Sequence, residues 1–155
     1  MKMLEENKGF SLVELLLVIA LIGVMVAIAV PSILRQIDHQ RLVRSARDLF
    51  TEINAARTNA ITRNVRYEID VAGTTYQLKY FDTASWVNEP GHTSVALQSN
   101  ISITSPAGAF QVVYNPNGTV TVPGNICLTN TRDVADRMSI QFTGSLGRIS
   151  IVTGC

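Results

Sequence analysis

An apolar stretch near the N-terminus, at residues 10–30, has the sequence FSLVELLLVIALIGVMVAIAV, in which only Ser11 and Glu14 are polar. A helix needs about 20 apolar residues to cross a bilayer, so the stretch predicts a transmembrane helix. The nine residues before it are polar and carry both signs of charge, and the one suitable cleavage point, Gly9, precedes the apolar stretch. A secretory signal peptide is cleaved after its apolar core instead. The stretch is therefore predicted to remain on the mature chain as an anchor.

Glu14 is a carboxylate in a segment that is predicted to lie in hydrocarbon, where an unpaired charge is costly. Cleavage after Gly9 would give Phe10 a free amino group, about one helical turn from Glu14. The helix dipole also favours negative charge at this end. If such helices stack with an axial stagger, Glu14 instead pairs with the amino group of a neighbouring copy, which neutralises both charges. The alternative interpretation is a tolerated polar residue near the membrane interface.

Beyond Pro31 the helical pattern continues to about Thr62. Proline removes one backbone donor, so Pro31 is expected to interrupt and loosen this helix. Apolar residues recur every three or four positions, which predicts one buried stripe widened by Phe50. The stripe consists of Leu42, Ala46, Leu49, Ile53, Ala56 and Ala60.

Seven arginines lie between Arg35 and Arg66. Acidic residues are interspersed among them, and no aromatic platform accompanies them in the sequence. This pattern favours a solvated helix face, with cations near lipid headgroups, over contact with a phosphate backbone.

After Asn64 the apolar period changes from helical to alternating. Alternation at 65–71 and 76–80 predicts a hairpin, and a second hairpin is predicted at 110–114 and 119–122 around the turn Asn115-Pro116-Asn117-Gly118. Three short strands are predicted around 126–128, 138–142 and 148–152, and residues 82–94 are predicted to form a loop. The predicted fold is α+β: a long N-terminal helix, transmembrane and then amphipathic, packed on a mostly antiparallel β-sheet head.

The two cysteines, Cys127 and Cys155, both lie in the last fifth of the chain. If this part lies in an oxidising compartment, a disulfide between them is expected; the alternative is two unpaired buried thiols. No catalytic residue, cofactor or metal site is predicted. His39 and His92 have no metal-type spacing with another ligand. The acids Asp133 and Asp136 are interpreted as solvated ion pairs with the adjacent Arg132 and Arg137, in preference to calcium ligands.

The octapeptide Gly9-Phe10-Ser11-Leu12-Val13-Glu14-Leu15-Leu16 resembles the class III signal of type IV prepilins and type II secretion pseudopilins, and Pro31 also fits that family. The resemblance implies that an aspartyl prepilin peptidase cleaves between Gly9 and Phe10 and N-methylates Phe10. It also implies that Glu14 is the assembly residue. The implied partners are the peptidase, other pilin or pseudopilin subunits and inner-membrane lipid.

The implied organisation has four parts: a leader at 1–9, a transmembrane or filament-core helix at 10–30, an amphipathic helix at 31–63 and a β-rich head at 64–155. The implied location is the bacterial inner membrane, crossed once, with the head in the periplasm. From there the subunit would be extracted into a pilus or pseudopilus.

Three segments of the head, 57–65, 114–119 and 144–149, resemble the pseudopilin H / FimT family of minor pseudopilins and minor pilins. Some FimT-like members bind DNA through a C-terminal Gly-Arg-x-Arg motif. Here the matching stretch is Gly147-Arg148-Ile149-Ser150, in which Ser150 replaces the second arginine. Residues 67–155 hold four Lys or Arg and six Asp or Glu, a net charge of −2.

Arg148 is therefore a candidate DNA contact, and DNA binding is disfavoured because affinity scales with the number of neutralised phosphates. The preferred function is that of a structural subunit, a minor pilin or pseudopilin acting in a priming or tip complex. The alternatives are a DNA-binding minor pilin for natural transformation and a major pilin.

Overall fold

The computed structural model describes residues 10–122, 124–144 and 147–155. The predicted leader at 1–9, including Gly9, lies outside the described residues. The fold is α+β, as predicted, with one long N-terminal helix followed by antiparallel strands. The chain divides into two compact units, with the boundary between Ile37 and Asp38.

The helix α1 spans Leu12–Arg63, a length of 52 residues. Ser11 caps its start, because the Ser11 hydroxyl accepts a hydrogen bond from the Val13 amide at 3.3 Å. Pro31 lies inside α1 and does not end it, and the predicted loosening of the helix there stays a prediction. Proline removes a single donor, and the hydrogen bonds of the turns on both sides continue the helix.

The predicted apolar stripe of α1 is confirmed in the unit that begins at Asp38. All six of its members are fully buried, and Phe50 packs against them with partial exposure. The stripe shares one hydrophobic core with residues from both sheets. Burying a Leu or Ile side chain contributes about 1.5–3 kcal/mol, so this stripe is a main source of cohesion between helix and sheets.

Ten strands follow α1 in the part of the chain that the structure describes. They are β1 (Tyr67–Ala72), β2 (Thr75–Asp82), β3 (Ser85–Asn88), β4 (Val95–Ala96), β5 (Ile101–Ser105), β6 (Phe110–Tyr114), β7 (Val120–Thr121), β8 (Ile126–Asn130), β9 (Arg137–Thr143) and β10 (Arg148–Thr153).

The first sheet has six strands in the order β3-β2-β1-β6-β7, with β4 also paired to β2. All of its pairs are antiparallel. At its centre, Ile69 of β1 lies opposite Leu78 of β2 and Val112 of β6, and all three side chains belong to the core. Successive side chains of a strand point to opposite faces, so alternate residues of β1 face away from this core.

The second sheet has four strands in the order β10-β9-β8-β5. All five residues of its strand β8 are buried. Leu128 of β8 lies opposite Met138 of β9 and Ile103 of β5, which joins the sheet to the same core. On the other face of β8, the Thr129 hydroxyl is hydrogen-bonded to the Thr104 hydroxyl at 2.9 Å. Side chains therefore cover β8 on both faces.

Both predicted hairpins and the three C-terminal strands are confirmed. The loop prediction for residues 82–94 is wrong in part, because it contains β3, which pairs with β2 through Phe81 and Trp86. The short strands β4 and β5 were not predicted either. Strands β3 and β4 are polar or very short, so their pairing with β2 decides their conformation. Strand β5 does alternate, with polar residues after Ile101 and Ile103, and the prediction overlooked this signal.

Candidate assembly site and contacts of the head

The predicted assembly residues lie at the start of α1. Glu14 is in the first helical turn, and Phe10, which is 82% exposed, precedes the helix. Their separation of four residues places them about one turn apart on the same side. Glu14 is exposed and forms no ion pair with any described residue of the chain. This carboxylate can therefore accept a partner from outside the chain.

Every side chain from Phe10 to Ile37 is exposed, Pro31 included. An 18-residue window of α1 has a mean hydropathy of 3.0 with none of it buried, so the helix is long and apolar enough to cross a membrane. Monomeric soluble proteins rarely expose apolar patches of this size.

Asp38 is a buried carboxylate at the start of the second unit, with 5% of its surface exposed. Its Oδ1 accepts a hydrogen bond from Nη1 of Arg41 at 2.9 Å, and its Oδ2 lies 3.4 Å from Nη1 of Arg132. The side-chain amide of Asn100 donates to Oδ1 at 3.5 Å. Asp38 thereby connects α1 with the segment before β5 and with the loop between β8 and β9.

The adjacent His39 contacts the same β8–β9 loop, with its Nδ1 2.9 Å from Oδ1 of Asp136. The predicted ion pairs within this loop are therefore wrong: Arg132 pairs with Asp38, and Asp136 pairs with His39. The carboxylate of Asp133 accepts a hydrogen bond from the amide of Ala135 at 3.2 Å. Pairing with residues about a hundred positions away could not be inferred from neighbours in the sequence.

A second buried carboxylate, Glu89, lies beside the C-terminal end of α1. Its Oε1 is 2.8 Å from Nη1 of Arg63, and its Oε2 accepts a hydrogen bond from the Tyr67 hydroxyl at 2.9 Å. Burial raises the pKa of Tyr67 to about 12, and the hydrogen bond to Glu89 and the charge of Glu89 add to the effect. These contacts join the segment after β3 to the end of the helix.

An open cavity of about 270 Å³ lies along α1, lined by Asp48, Thr51, Glu52, Tyr76 and Val95. Burial raises the pKa of Tyr76 to about 12, with smaller contributions from the charges of Asp48 and Glu52. Across residues 10–122, 124–144 and 147–155, no three His, Cys, Asp or Glu side chains come together in a way that could hold a metal ion.

Arg66 lies over an aromatic pair, a contact that sequence reasoning missed. Its guanidinium carbon is 3.9 Å from the ring centroid of Phe81 and 5.8 Å from that of Trp86. The two rings meet edge to face, with centroids 5.3 Å apart. The expectation that no aromatic platform accompanies the arginines is wrong for Arg66. Only the pairing of β1, β2 and β3 brings these three residues together.

Arg148, the predicted DNA contact, begins the edge strand β10 and lies opposite Thr143 on β9. The glycine before it has a packing role. A Cβ on Gly147 would lie 2.8 Å from Val120 and 2.9 Å from Tyr114, and its backbone has a φ of +58°. Gly147 therefore has a structural reason to be glycine, and the DNA contact at Arg148 stays a prediction.

The predicted disulfide is confirmed: Cys127 in β8 is bonded to Cys155, with Cα atoms 5.9 Å apart. The amide of Gly154 also donates to the carbonyl of Arg137 at 2.9 Å. The C-terminal residues are thus held against the second sheet.

A family model described as type II transport protein GspH matches residues 45–145, and one described as the prokaryotic N-terminal methylation motif matches residues 6–30. Two crystal structures of the type IV minor pilin FimU from Pseudomonas aeruginosa have a similar fold. One is 14% identical, covers 72% of this chain and 92% of FimU, and has a TM-score of 0.57. The other is 12% identical, covers 73% and 89%, and has a TM-score of 0.60. No curated protein matches the sequence.

Proposed function

Because the chain belongs to the GspH family of type II transport proteins and carries the N-terminal methylation motif, we propose that it is a minor subunit that helps to prime or cap a type IV pilus or a type II secretion pseudopilus. The family consists of structural pilin-like subunits. The work assigned to the chain is therefore assembly, with no chemical step.

The observation that carries the proposal is the single acid at the start of an exposed apolar helix. Glu14 follows Phe10 by four residues, and all side chains from Phe10 to Ile37 are exposed. Prepilin peptidase cleaves after Gly9 and methylates the new amino group of Phe10, which keeps its positive charge. In the filament, Glu14 pairs with the amino group of a neighbouring subunit. The pair neutralises two charges in a low-dielectric bundle and sets the axial register.

The proposed organisation follows from this processing. Residues 1–9 are removed, residues 10–30 anchor the chain in the inner membrane, and residues 31–63 continue as the amphipathic helix, with Pro31 at its start. Residues 64–155 form the head in the periplasm. The disulfide between Cys127 and Cys155 supports this location, because such bonds persist in oxidising compartments such as the periplasm.

The assignment as a minor subunit is supported by the family match and by the fold shared with FimU, a type IV minor pilin. Copy number tests it directly. Sheared filaments should contain far fewer copies of this chain than of the bulk subunit, and equal abundance would show a major pilin.

Two substitutions separate processing from assembly. Gly9→Leu should leave an uncut precursor in the membrane, because the peptidase no longer accepts the residue before the cut. Glu14→Ala should be cut normally, with Phe10 detected as the methylated N-terminus by mass spectrometry, yet be missing from the sheared fraction. Arg148→Ala serves as the matched control and should be processed and assembled normally. Assembly of Glu14→Ala at the wild-type level would overturn the ammonium–carboxylate pairing.

A further inference from the structure

The face of the first sheet that points away from α1 carries both charged and aromatic side chains. Tyr67, Ile69 and Val71 of β1 point into the core, so Glu68 and Asp70 lie on the opposite face, together with the preceding Arg66. We call this surface the outer face; it consists of Arg66, Glu68, Asp70, Lys79, Phe81, Trp86 and Asn88.

The row Arg66–Phe81–Trp86 runs from the residue before β1 across the neighbouring strands β2 and β3. The amide of Phe81 donates to the carbonyl of Arg66 at 2.9 Å, and Phe81 lies opposite Trp86. A connection of two residues, Thr83 and Ala84, joins β2 to β3, so the aromatic pair sits on a tight hairpin. Backbone pairing and stacking therefore hold the guanidinium before any partner arrives, which reduces the entropy cost of binding.

The charged side chains of the outer face differ in whether they have an oppositely charged partner within the chain. Asp70 and Lys79 pair with each other. Glu68 is only 5% exposed and offers little accessible carboxylate. Arg66 has no carboxylate within 4.0 Å in the part of the chain that the structure describes. Its charge rests on two half-buried rings and leaves the edge of the guanidinium for an external acceptor.

We propose that Arg66, Phe81 and Trp86 form a docking surface for a neighbouring filament subunit that presents an exposed carboxylate beside an aliphatic side chain. The carboxylate binds the edge of the guanidinium, and the aliphatic group covers the ring of Trp86. Trp and Arg are the residues most enriched in the energetic centres of protein interfaces, and an Arg–carboxylate pair adds directional hydrogen bonds. This inference rests on the proposed function.

Nucleic acid is the less suitable partner for this surface. The outer face carries two cations, Arg66 and Lys79, and two acids, Glu68 and Asp70. A surface with no net charge gains little from the release of counterions around phosphates. A single carboxylate, in contrast, needs only the one uncompensated guanidinium.

The test places a photo-crosslinking amino acid at Asn88 of the full-length chain in the cells that assemble the filament. Asn88 is exposed and shares the face of β3 with Trp86. We expect one main product, which mass spectrometry identifies as a second pilin-like subunit linked close to an Asp or Glu. Arg66→Glu should reduce its yield about tenfold, as expected for the loss of a charged hydrogen bond. Arg148→Glu is the matched charge reversal elsewhere and should leave the yield unchanged.

The same photo-crosslinking amino acid placed at Val87, on the opposite face of β3, is the positional control and should give no such product. If Arg66→Glu is degraded in the cell, Arg66→Gln removes the charge with a smaller change in shape and should show the same loss. The inference is overturned by no product from Asn88, by the same product from Val87, by a yield that does not change in the Arg66 variants, or by an adduct with nucleic acid or a protein that is not pilin-like.

The sheared-filament assay separates this failure from that of the proposed function. A chain that enters filaments through Glu14 but gives no product from Asn88 overturns only the docking surface. A chain that is absent from filaments overturns the proposed function as well.

Discussion

The carboxylate Oδ2 of Asp38, at the start of the second unit, lies 3.4 Å from Nη1 of Arg132, 94 residues later in the chain. Asp38 is almost fully buried, whereas the Arg132 side chain is 60% exposed. The two side chains therefore contribute unequally to the free energy of unfolding. A buried group that loses its protein contacts has no water to replace them, whereas an exposed group does.

We expect Asp38→Asn to lower the free energy of unfolding by about 2 kcal/mol, since it weakens charge-assisted contacts with Arg41 and Arg132 at a buried position. Arg132→Ala should cost less than about 1 kcal/mol, because its end of the pair is exposed. Urea unfolding of the full chain in detergent measures both. An equal cost for the two substitutions would contradict this asymmetry.

Two buried tyrosines offer a matched comparison. Tyr67→Phe removes the hydrogen bond to Glu89 and should cost about 1–2 kcal/mol. The hydroxyl of Tyr114 is buried without a hydrogen-bond partner in the described residues, so Tyr114→Phe should change stability by less than about 0.5 kcal/mol or stabilise the head. The same urea measurement at pH 7 compares them. A larger loss of stability in Tyr114→Phe than in Tyr67→Phe would contradict this prediction.

The stability of the head should fall between pH 10 and pH 12. Burial raises the pKa values of Tyr67, Tyr76 and Tyr114 to about 12, against 10.0 for an unperturbed tyrosine. In this window the unfolded chain loses protons that the folded chain retains, so rising pH favours unfolding. Below pH 10 this contribution is constant. Melting curves across the window check the fall, and it should be smaller in Tyr114→Phe than in the wild type.

A comparison of alanine substitutions at Gly144 and Gly147 separates the cost of backbone strain from the cost of a steric clash. Both have positive φ, +71° and +58°, but a Cβ on Gly144 meets nothing within 4 Å, whereas one on Gly147 meets Val120 and Tyr114. We expect Gly144→Ala to cost about 1–2 kcal/mol from the left-handed backbone alone. Gly147→Ala should cost a further 1–3 kcal/mol or so from overpacking. Equal costs in thermal melts would show that the neighbours of Gly147 move aside.

The disulfide closes a loop between residues 28 positions apart. Cys155→Ser should lower the free energy of unfolding by about 3 kcal/mol, because the reduced chain regains entropy when it unfolds. Unfolding of the wild type with and without a reductant provides the control. A reductant effect on the Cys155→Ser variant would point to an influence other than this bond.

Local periodicity in the sequence was sufficient to predict much of the fold. The stripe from Leu42 to Ala60 was predicted because its members repeat every three or four residues, and the helix buries all of them. The hairpin around Gly118 was predicted from turn chemistry and alternation. Strand β3 was missed because its four residues carry little pattern of their own, and its pairing with β2 holds it in place.

The sequence by itself determined the apolar N-terminal helix, the position of Glu14 beside Phe10, the buried stripe and the pilin-like family, since each depends on residues within a few helical turns. The tertiary structure alone decided which distant charges meet: Asp38 with Arg132, Glu89 with Arg63. It also placed Arg66 over Phe81 and Trp86. Strand order and register set these contacts, and they arise from the packing of the whole core, which no short stretch of sequence contains.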